Sequence, residues 1–264
     1  MKVTVEDVMH KLLLTVPRLE STVDVLRAGD PRTEVRAIAT AFMATHEVIE
    51  QAVACGVNLL ITHEGTFYSH MDQTDWLEQD AVYQAKQQLI EQSGIAIFRL
   101  HDGIHRYQPD GIMTGLIQAL DWDRYVTAHE RVVSLLTLPV MTVRLIAEHV
   151  KRQLGISFVR VVGDPAMSCR HIGLLAGYRG GGALAIPQYG NEGLDLVIAG
   201  EGPEWETPEY VRDAVHQGKK KALILLGHAE SEASGMKVLA ETLAAAFPTV
   251  PVQFFTNTPL FTVM

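Results

Sequence analysis

Three stretches of the chain place imidazoles and carboxylates directly after an apolar run. His63-Glu64 follows VNLLIT, His101-Asp102-Gly103-Ile104-His105 follows IAIFRL, and His228-Ala229-Glu230-Ser231-Glu232 follows ALILLG. This donor set suits zinc, manganese, iron or nickel, and no cysteine stands near it, which argues against a closed structural zinc site. His101 and His105 are four residues apart, as are His228 and Glu232. On a helical turn each pair shares one face and can reach one ion. His63 and Glu64 are adjacent at a strand end, so their side chains diverge, and each can hold a different ion or bridge a pair. The same four-residue spacing leaves Asp102 and Glu230 pointing elsewhere, as supports or solvated groups. Glu201 closes a fourth apolar run, LDLVIAG, and reads equally as a cleft residue or an exposed acidic turn.

A histidine after a strand is usually only a polar loop residue. Three His/acid clusters after three apolar runs point instead to a metal or catalytic site. His10, His46, His70, His129, His149, His171 and His216 have no comparable grouping and read as structural or exposed. No GxSxG elbow and no Cys–His motif is present, so covalent nucleophilic catalysis has no support.

These clusters need a scaffold that gathers distant segments. Apolar runs predict strands over 35–40, 57–62, 95–100, 132–138, 158–162, 171–176, 194–199, 222–226 and 252–255. Amphipathic stretches predict helices over 46–54, 81–92, 111–120, 143–153, 208–217 and 232–247. Such alternation implies an α/β fold with parallel pairing, and in open α/β sheets ligand sites form at the carboxyl ends of the strands. A polar stretch at 121–130 marks a seam. The expected organisation is therefore two lobes of mostly parallel sheet flanked by helices. Residues 1–124 plus 222–264 make the metal-binding lobe, and 125–221 make the second. The glycine run at 180–182 after a strand reads as a flexible turn or a ligand-contacting loop; it lacks Walker or GxGxxG spacing.

Composition bounds the partners. Apolar residues form 47% of the 264, enough for a sizeable core, yet no run approaches the ~20 residues needed to cross a bilayer. The first residues interrupt their apolar positions with Glu6, Asp7, His10 and Lys11, unlike a signal peptide. Cys55 and Cys169 are the only cysteines, which gives no disulfide framework and a default cytoplasmic expectation. The formal charge of -9, with one basic run at 219–221, makes nucleic acid a poor partner.

The clusters resemble those of the Nif-three-like dinuclear metal family, also known as GTP cyclohydrolase 1 type 2 homologues. The resemblance is strongest at Gly227-His228-Ala229-Glu230-Ser231-Glu232 with Gly235 and Leu239. It extends through GVNLLITHEGTFYSH, IAIFRLHDGIH with PDGIMTGL, and LDLVIAGEGPEW, from about Val35 to the C-terminus. Two positions depart from the family's pattern: Glu64 stands where it usually has a second His, and His105 where it usually has an Asp. One replacement adds a carboxylate and the other removes one, so the anionic charge is kept.

The resemblance implies His63, Glu64, His105, His228 and Glu232 as ligands of two divalent transition-metal ions, with His101 near the site. It also implies two α/β lobes and a homo-oligomer, often a hexameric ring. Three functions compete: a metal-dependent hydrolase of a small phosphorylated or heterocyclic metabolite, a metal-binding or delivery protein, and a regulatory scaffold.

Overall fold

The computed structural model describes residues 2–264 and divides into two compact units, one ending at Gly111 and resuming over 235–262, the other made chiefly of 112–234. The strands are β1 (Val25–Ala28), β2 (Ile38–Ala41), β3 (Leu59–Thr62), β4 (Ala96–Arg99), β5 (Val126–His129), β6 (Ser134–Thr142), β7 (Arg160–Val162), β8 (Ser168–Leu175), β9 (Leu196–Ala199), β10 (Ala222–Leu225) and β11 (Val252–Phe255). The helices are α1 (Val5–Leu13), α2 (His46–Ala54), α3 (Ala81–Ser93), α4 (Gly111–Ala119), α5 (Val143–Leu154), α6 (Gly182–Asn191), α7 (Thr207–His216) and α8 (His228–Ala246). No helix among the described residues is long and apolar enough to cross a membrane.

In the first unit the strand order is β1-β4-β3-β2-β11, parallel except for the β1–β4 pair. Every residue of β2, β3 and β4 is buried, the mark of strands covered on both faces. One face is closed by α2 and α3: Val48, Ile49, Ala52 and Ile90 pack with Ala39, Leu60 and Ile97. Thr45 caps α2 through the Val48 N–H, Asp80 caps α3 through two N–H groups, and Gly94 ends α3 in a left-handed turn. The register pairs Thr62 with Arg99, so the residues that follow β3 and β4 emerge side by side.

The second unit has the order β5-β6-β8-β9-β10-β7. Here β8, β9 and β10 are parallel, while β5–β6, β6–β8 and β10–β7 are antiparallel. The expectation of mostly parallel pairing therefore describes the first sheet and not the second, which is mixed. Ala185 and Tyr189 of α6 and Val211 of α7 pack over Leu175, Val197 and Leu223. Leu175, Ala199 and Leu225 lie in one register row, which aligns the loops after three parallel strands.

The division between units differs from the expected one. The strand Ala222–Leu225, assigned from the sequence to the first lobe, is hydrogen-bonded between β9 and β7 in the second sheet. The seam falls at 111/112 and 234/235.

Candidate metal centre

In the first unit the strand ladder continues one residue beyond its ends and fixes the backbone of the first cluster. His63 N–H donates to the Phe42 carbonyl (3.1 Å), Glu64 N–H to the same oxygen (2.9 Å), and Leu100 N–H to the Thr62 carbonyl (2.8 Å). The turn after β4 is fastened by Asp24, whose carboxylate accepts from His101, Asp102 and Gly103 N–H at 2.6–2.8 Å. A short 3-10 turn, Ile104–Arg106, then carries His105 back over the strand end. The pair 101/105 is thus not on one α-helical face, yet the rings meet: His63–His101 centroids are 4.6 Å apart, His63–His105 5.0 Å and His101–His105 5.3 Å.

The hydrogen bonds at Nδ1 decide which nitrogen each ring offers. His63 Nδ1 lies 3.2 Å from the Leu100 carbonyl, His101 Nδ1 3.0 Å from Asp102 Oδ1, and His105 Nδ1 2.9 Å from Asp110 Oδ2. A carbonyl or ionised carboxylate only accepts, so each Nδ1 carries a proton and Nε2 is the nitrogen left to offer a metal. This is the arrangement by which metal-ligating histidines are oriented. One ligand atom from each of His63, His101 and His105 lies within 4.8 Å of the others. Tetrahedral zinc with nitrogen ligands needs about 3.4 Å between donors, from bonds of ~2.0–2.1 Å. The donor set and its spacing therefore fit a divalent transition metal after a small inward closure.

Glu64 stands beside this group, Oε1 being 3.5 Å from His101 Nε2. Its Oε2 accepts from Arg99 Nη2 (3.0 Å) and Gly65 N–H (3.2 Å). His70, read from the sequence as structural or exposed, sits 3.8 Å from Glu64 Oε2 and edge-on to His101. Glu64, His70 and His101 form a second group of convergent donors. Burial pushes His101 down, but the Glu64 and Asp102 carboxylates outweigh it and hold the ring above the usual imidazole range. His70 is pushed below that range by burial and then by the Arg99 charge.

The loop that carries Glu64 and His70 is gripped from beneath by Lys86 of α3. This lysine is 1% exposed, donates to the Thr66 carbonyl at 2.5 Å, and lies over the Phe67 and Tyr68 rings. Burial lowers its pKa to about 8. The folded value is thus below the unfolded one. Below about pH 8 both states are protonated and the buried charge costs about 3 kcal/mol. Between about 8 and 10.5 the unfolded chain holds the proton and the fold does not, so stability rises with pH. Lys86→Met is expected to abolish that rise in urea midpoints measured from pH 7 to 10; an unchanged slope would show that Lys86 is not its source.

In the second unit, three loops after parallel strands converge on α8. His228 Nδ1 lies 2.9 Å from Glu201 Oε1, and its Nε2 lies 3.1 Å from Glu232 Oε2. Thus His228 repeats the pattern of the other three histidines, and the four-residue spacing does place it with Glu232 on one helical face. Ser231 Oγ accepts from Gly177 N–H (2.9 Å) and donates to the His228 carbonyl (2.8 Å). The Glu230 carboxylate lies instead against Gly227, where an added Cβ would stand 2.0 Å from its Oε2. The glycine run is explained by packing: a Cβ on Gly202 would meet the Gly180 carbonyl oxygen at 2.6 Å, so the two loops touch backbone to backbone. The Gly182 N–H at the start of α6 is taken by Glu206 Oε2 (2.6 Å).

The structure thus gathers His63, His101 and His105 with Glu64 in one unit, and pairs His228 with Glu232 in the other. Sequence reasoning missed Asp110, Asp24 and Arg99. The signals were a Pro-Asp-Gly helix start for Asp110 and, for Arg99, a charge inside an apolar run. Asp110→Asn is expected to lower metal affinity by about 10–100-fold, because the amide can no longer enforce the His105 tautomer. A chelator competition titration measures it, and an affinity equal to wild type would remove Asp110 from the site.

Comparison with known proteins bears on this geometry. The sequence profile of a family described as Duf34/NIF3 (NGG1p interacting factor 3) matches residues 19–259. A GTP cyclohydrolase 1 type 2 homolog of Chlamydia trachomatis is 24% identical over 223 residues, covering 84% of each chain. A protein of the same name from Clostridium acetobutylicum is 24% identical over 246 residues, 89% of this chain and 85% of the relative. Among solved structures, a Bacillus cereus protein related to NIF3 has a TM-score of 0.79 at 16% identity, covering 100% of this chain and 99% of its own. A hypothetical protein of Staphylococcus aureus has a TM-score of 0.77 at 18% identity and covers 100% of both.

Proposed function

The chain belongs to the Duf34/NIF3 family, and from that premise we propose that it is a divalent-metal-dependent hydrolase acting on a small phosphorylated or heterocyclic metabolite. The observation that supports this reading is the common orientation of four histidines. His63, His101, His105 and His228 each commit Nδ1 to a carbonyl or carboxylate, and the Nε2 atoms of His101 and His228 face Glu64 and Glu232. Four independent surface histidines have no reason to share that arrangement. In the first unit His63, His101, His105 and Glu64 are the ligands; in the second, His228 and Glu232 are the donor pair. A divalent ion so held polarises a substrate oxygen and supplies a nucleophile near neutral pH.

The protein's own groups have separate tasks. Asp102, Asp110 and the Leu100 carbonyl hold the Nδ1 sides of three imidazoles and aim the rings. Glu201 holds His228 with one oxygen while its side chain is part-exposed, so it is the group suited to pass protons to solvent. A net charge of -9 disfavours large polyanions, whereas a bound cation attracts small anions.

Elemental analysis of untagged protein never exposed to chelator tests the proposal. Transition metal bound per chain, lost in His105→Ala, supports it, and hydrolysis of phosphoesters or cyclic amidines is then sought with the loaded protein. No metal, even after reconstitution, overturns the hydrolase and leaves a scaffold role. Metal that exchanges readily with no hydrolysis of either class favours a delivery protein.

A further inference from the structure

We infer that Arg99 is a positioning residue that restricts Glu64 to one donor oxygen and offsets its charge before any ion binds. This rests on the metal reading above. Arg99 is the last residue of β4, and its side chain is fully buried. A guanidinium stays charged in any protein environment and offers five donors in a fixed plane. Here those donors are spread over the loop that carries Glu64. Nε donates to the His63 carbonyl (3.3 Å), Nη1 to the His70 carbonyl (2.5 Å), and Nη2 to Glu64 Oε2 (3.0 Å), with His70 Nδ1 also 3.2 Å away.

Two consequences follow from this geometry. Glu64 Oε2 already accepts from Arg99 and from Gly65 N–H, while Oε1 is the oxygen turned to His101 Nε2 at 3.5 Å. An ion at the histidine cluster therefore meets Glu64 through Oε1 alone. Arg99 also offsets the charge of Glu64, and Asp72 is offset in turn by Arg27 at 2.8 Å and Arg99 at 3.7 Å. The carboxylates that remain against the imidazoles are Asp102 and Asp110, bonded to His101 and His105.

Cobalt(II) tests this, read by chelator competition for affinity and by the visible spectrum for coordination. Arg99→Met is expected to free Oε2, raise cobalt affinity by about tenfold or more and shift the spectrum toward higher coordination. Arg99→Lys keeps the charge and is expected to hold affinity within about threefold while altering the spectrum. Glu64→Gln, with Arg99 intact, leaves the guanidinium charge uncompensated beside the cluster and is expected to lower cobalt affinity by about tenfold or more.

Arg99→Met with native circular dichroism and wild-type affinity and spectrum would overturn the inference, as would wild-type affinity in Glu64→Gln. Should Arg99→Met not fold, Arg99→Lys and Glu64→Gln decide alone. Wild-type protein that takes up no cobalt overturns the metal reading and this inference with it. Cobalt bound through His105 but indifferent to Arg99 overturns this inference only.

Discussion

Replacing His63 with alanine is expected to remove the metal response of the protein. His63 is fully buried, stacked on His101 and edge-on to His105, so it packs against both other imidazoles. Its Nδ1 is committed to the Leu100 carbonyl, and its backbone is tied to β2 through Phe42. Without it the three-imidazole group is broken, leaving His101, His105 and the exposed His70 around a carboxylate already held by Arg99, a weaker set for zinc. An ion present at 100 times its dissociation constant stabilises a fold by ~2.7 kcal/mol. For a chain of this size that is a shift of about 5–10 °C in melting temperature. Wild type should show such a rise on adding zinc, and His63→Ala should show none. The variant also loses buried contacts, so its melting temperature without metal should fall by a few degrees. The metal-dependent difference, not the absolute value, therefore carries the result. An equal rise in the variant would show that zinc binds elsewhere.

The site was legible in the sequence where local patterning reports it. The apolar runs before His63, His101 and His228 are strands buried at every residue, and such runs stop where the chain reaches the sheet's carboxyl edge. Helices α2, α3, α5 and α7 begin and end within about a residue of their expected places, because Thr45, Asp80 and Thr142 cap and Gly94 and Gly155 terminate. The helix expected from 232 begins at His228, since Gly227 with φ +111° makes the turn immediately before it.

What was not legible depends on approach through space. α6 contains Gly190 and Pro187, which read as breakers, and is held by packing under Tyr189 rather than by propensity. β1 and β5 are four-residue, half-exposed edges without a distinct apolar run. Asp24 reaches His101 across 77 residues of chain, and Arg99 reaches His70 across 29, separations at which no spacing rule operates. His70 reads from the sequence as structural or exposed, and it is exposed; its approach to Glu64 was not legible because nothing beside it in sequence announces the loop that brings it there.

Gly177→Ala is expected to be the most damaging small substitution in the second unit. Gly177 has φ +64°, a left-handed conformation that costs an L-residue about 1 kcal/mol or more. Space is the larger constraint. A Cβ there would stand 2.2 Å from Glu232 Oε1, 2.9 Å from its Cδ and 3.2 Å from His228 Nε2. The Glu232 side chain is 2% exposed, so it has no solvent path along which to yield. Nor can the loop back away freely, because Gly177 N–H is bonded to Ser231 Oγ and Gly200 packs against the same hydroxyl. Strain and overpacking together should cost about 2–4 kcal/mol in urea unfolding of metal-free protein. Displacement of Glu232 should also weaken metal binding. Gly190→Ala is the control: it lies in α6 with nothing near the added methyl, and should be neutral or stabilising by up to about 1 kcal/mol. If Gly177→Ala were instead as stable as wild type and bound metal equally well, Glu232 and His228 would not be held in the close arrangement on which their role as a donor pair depends.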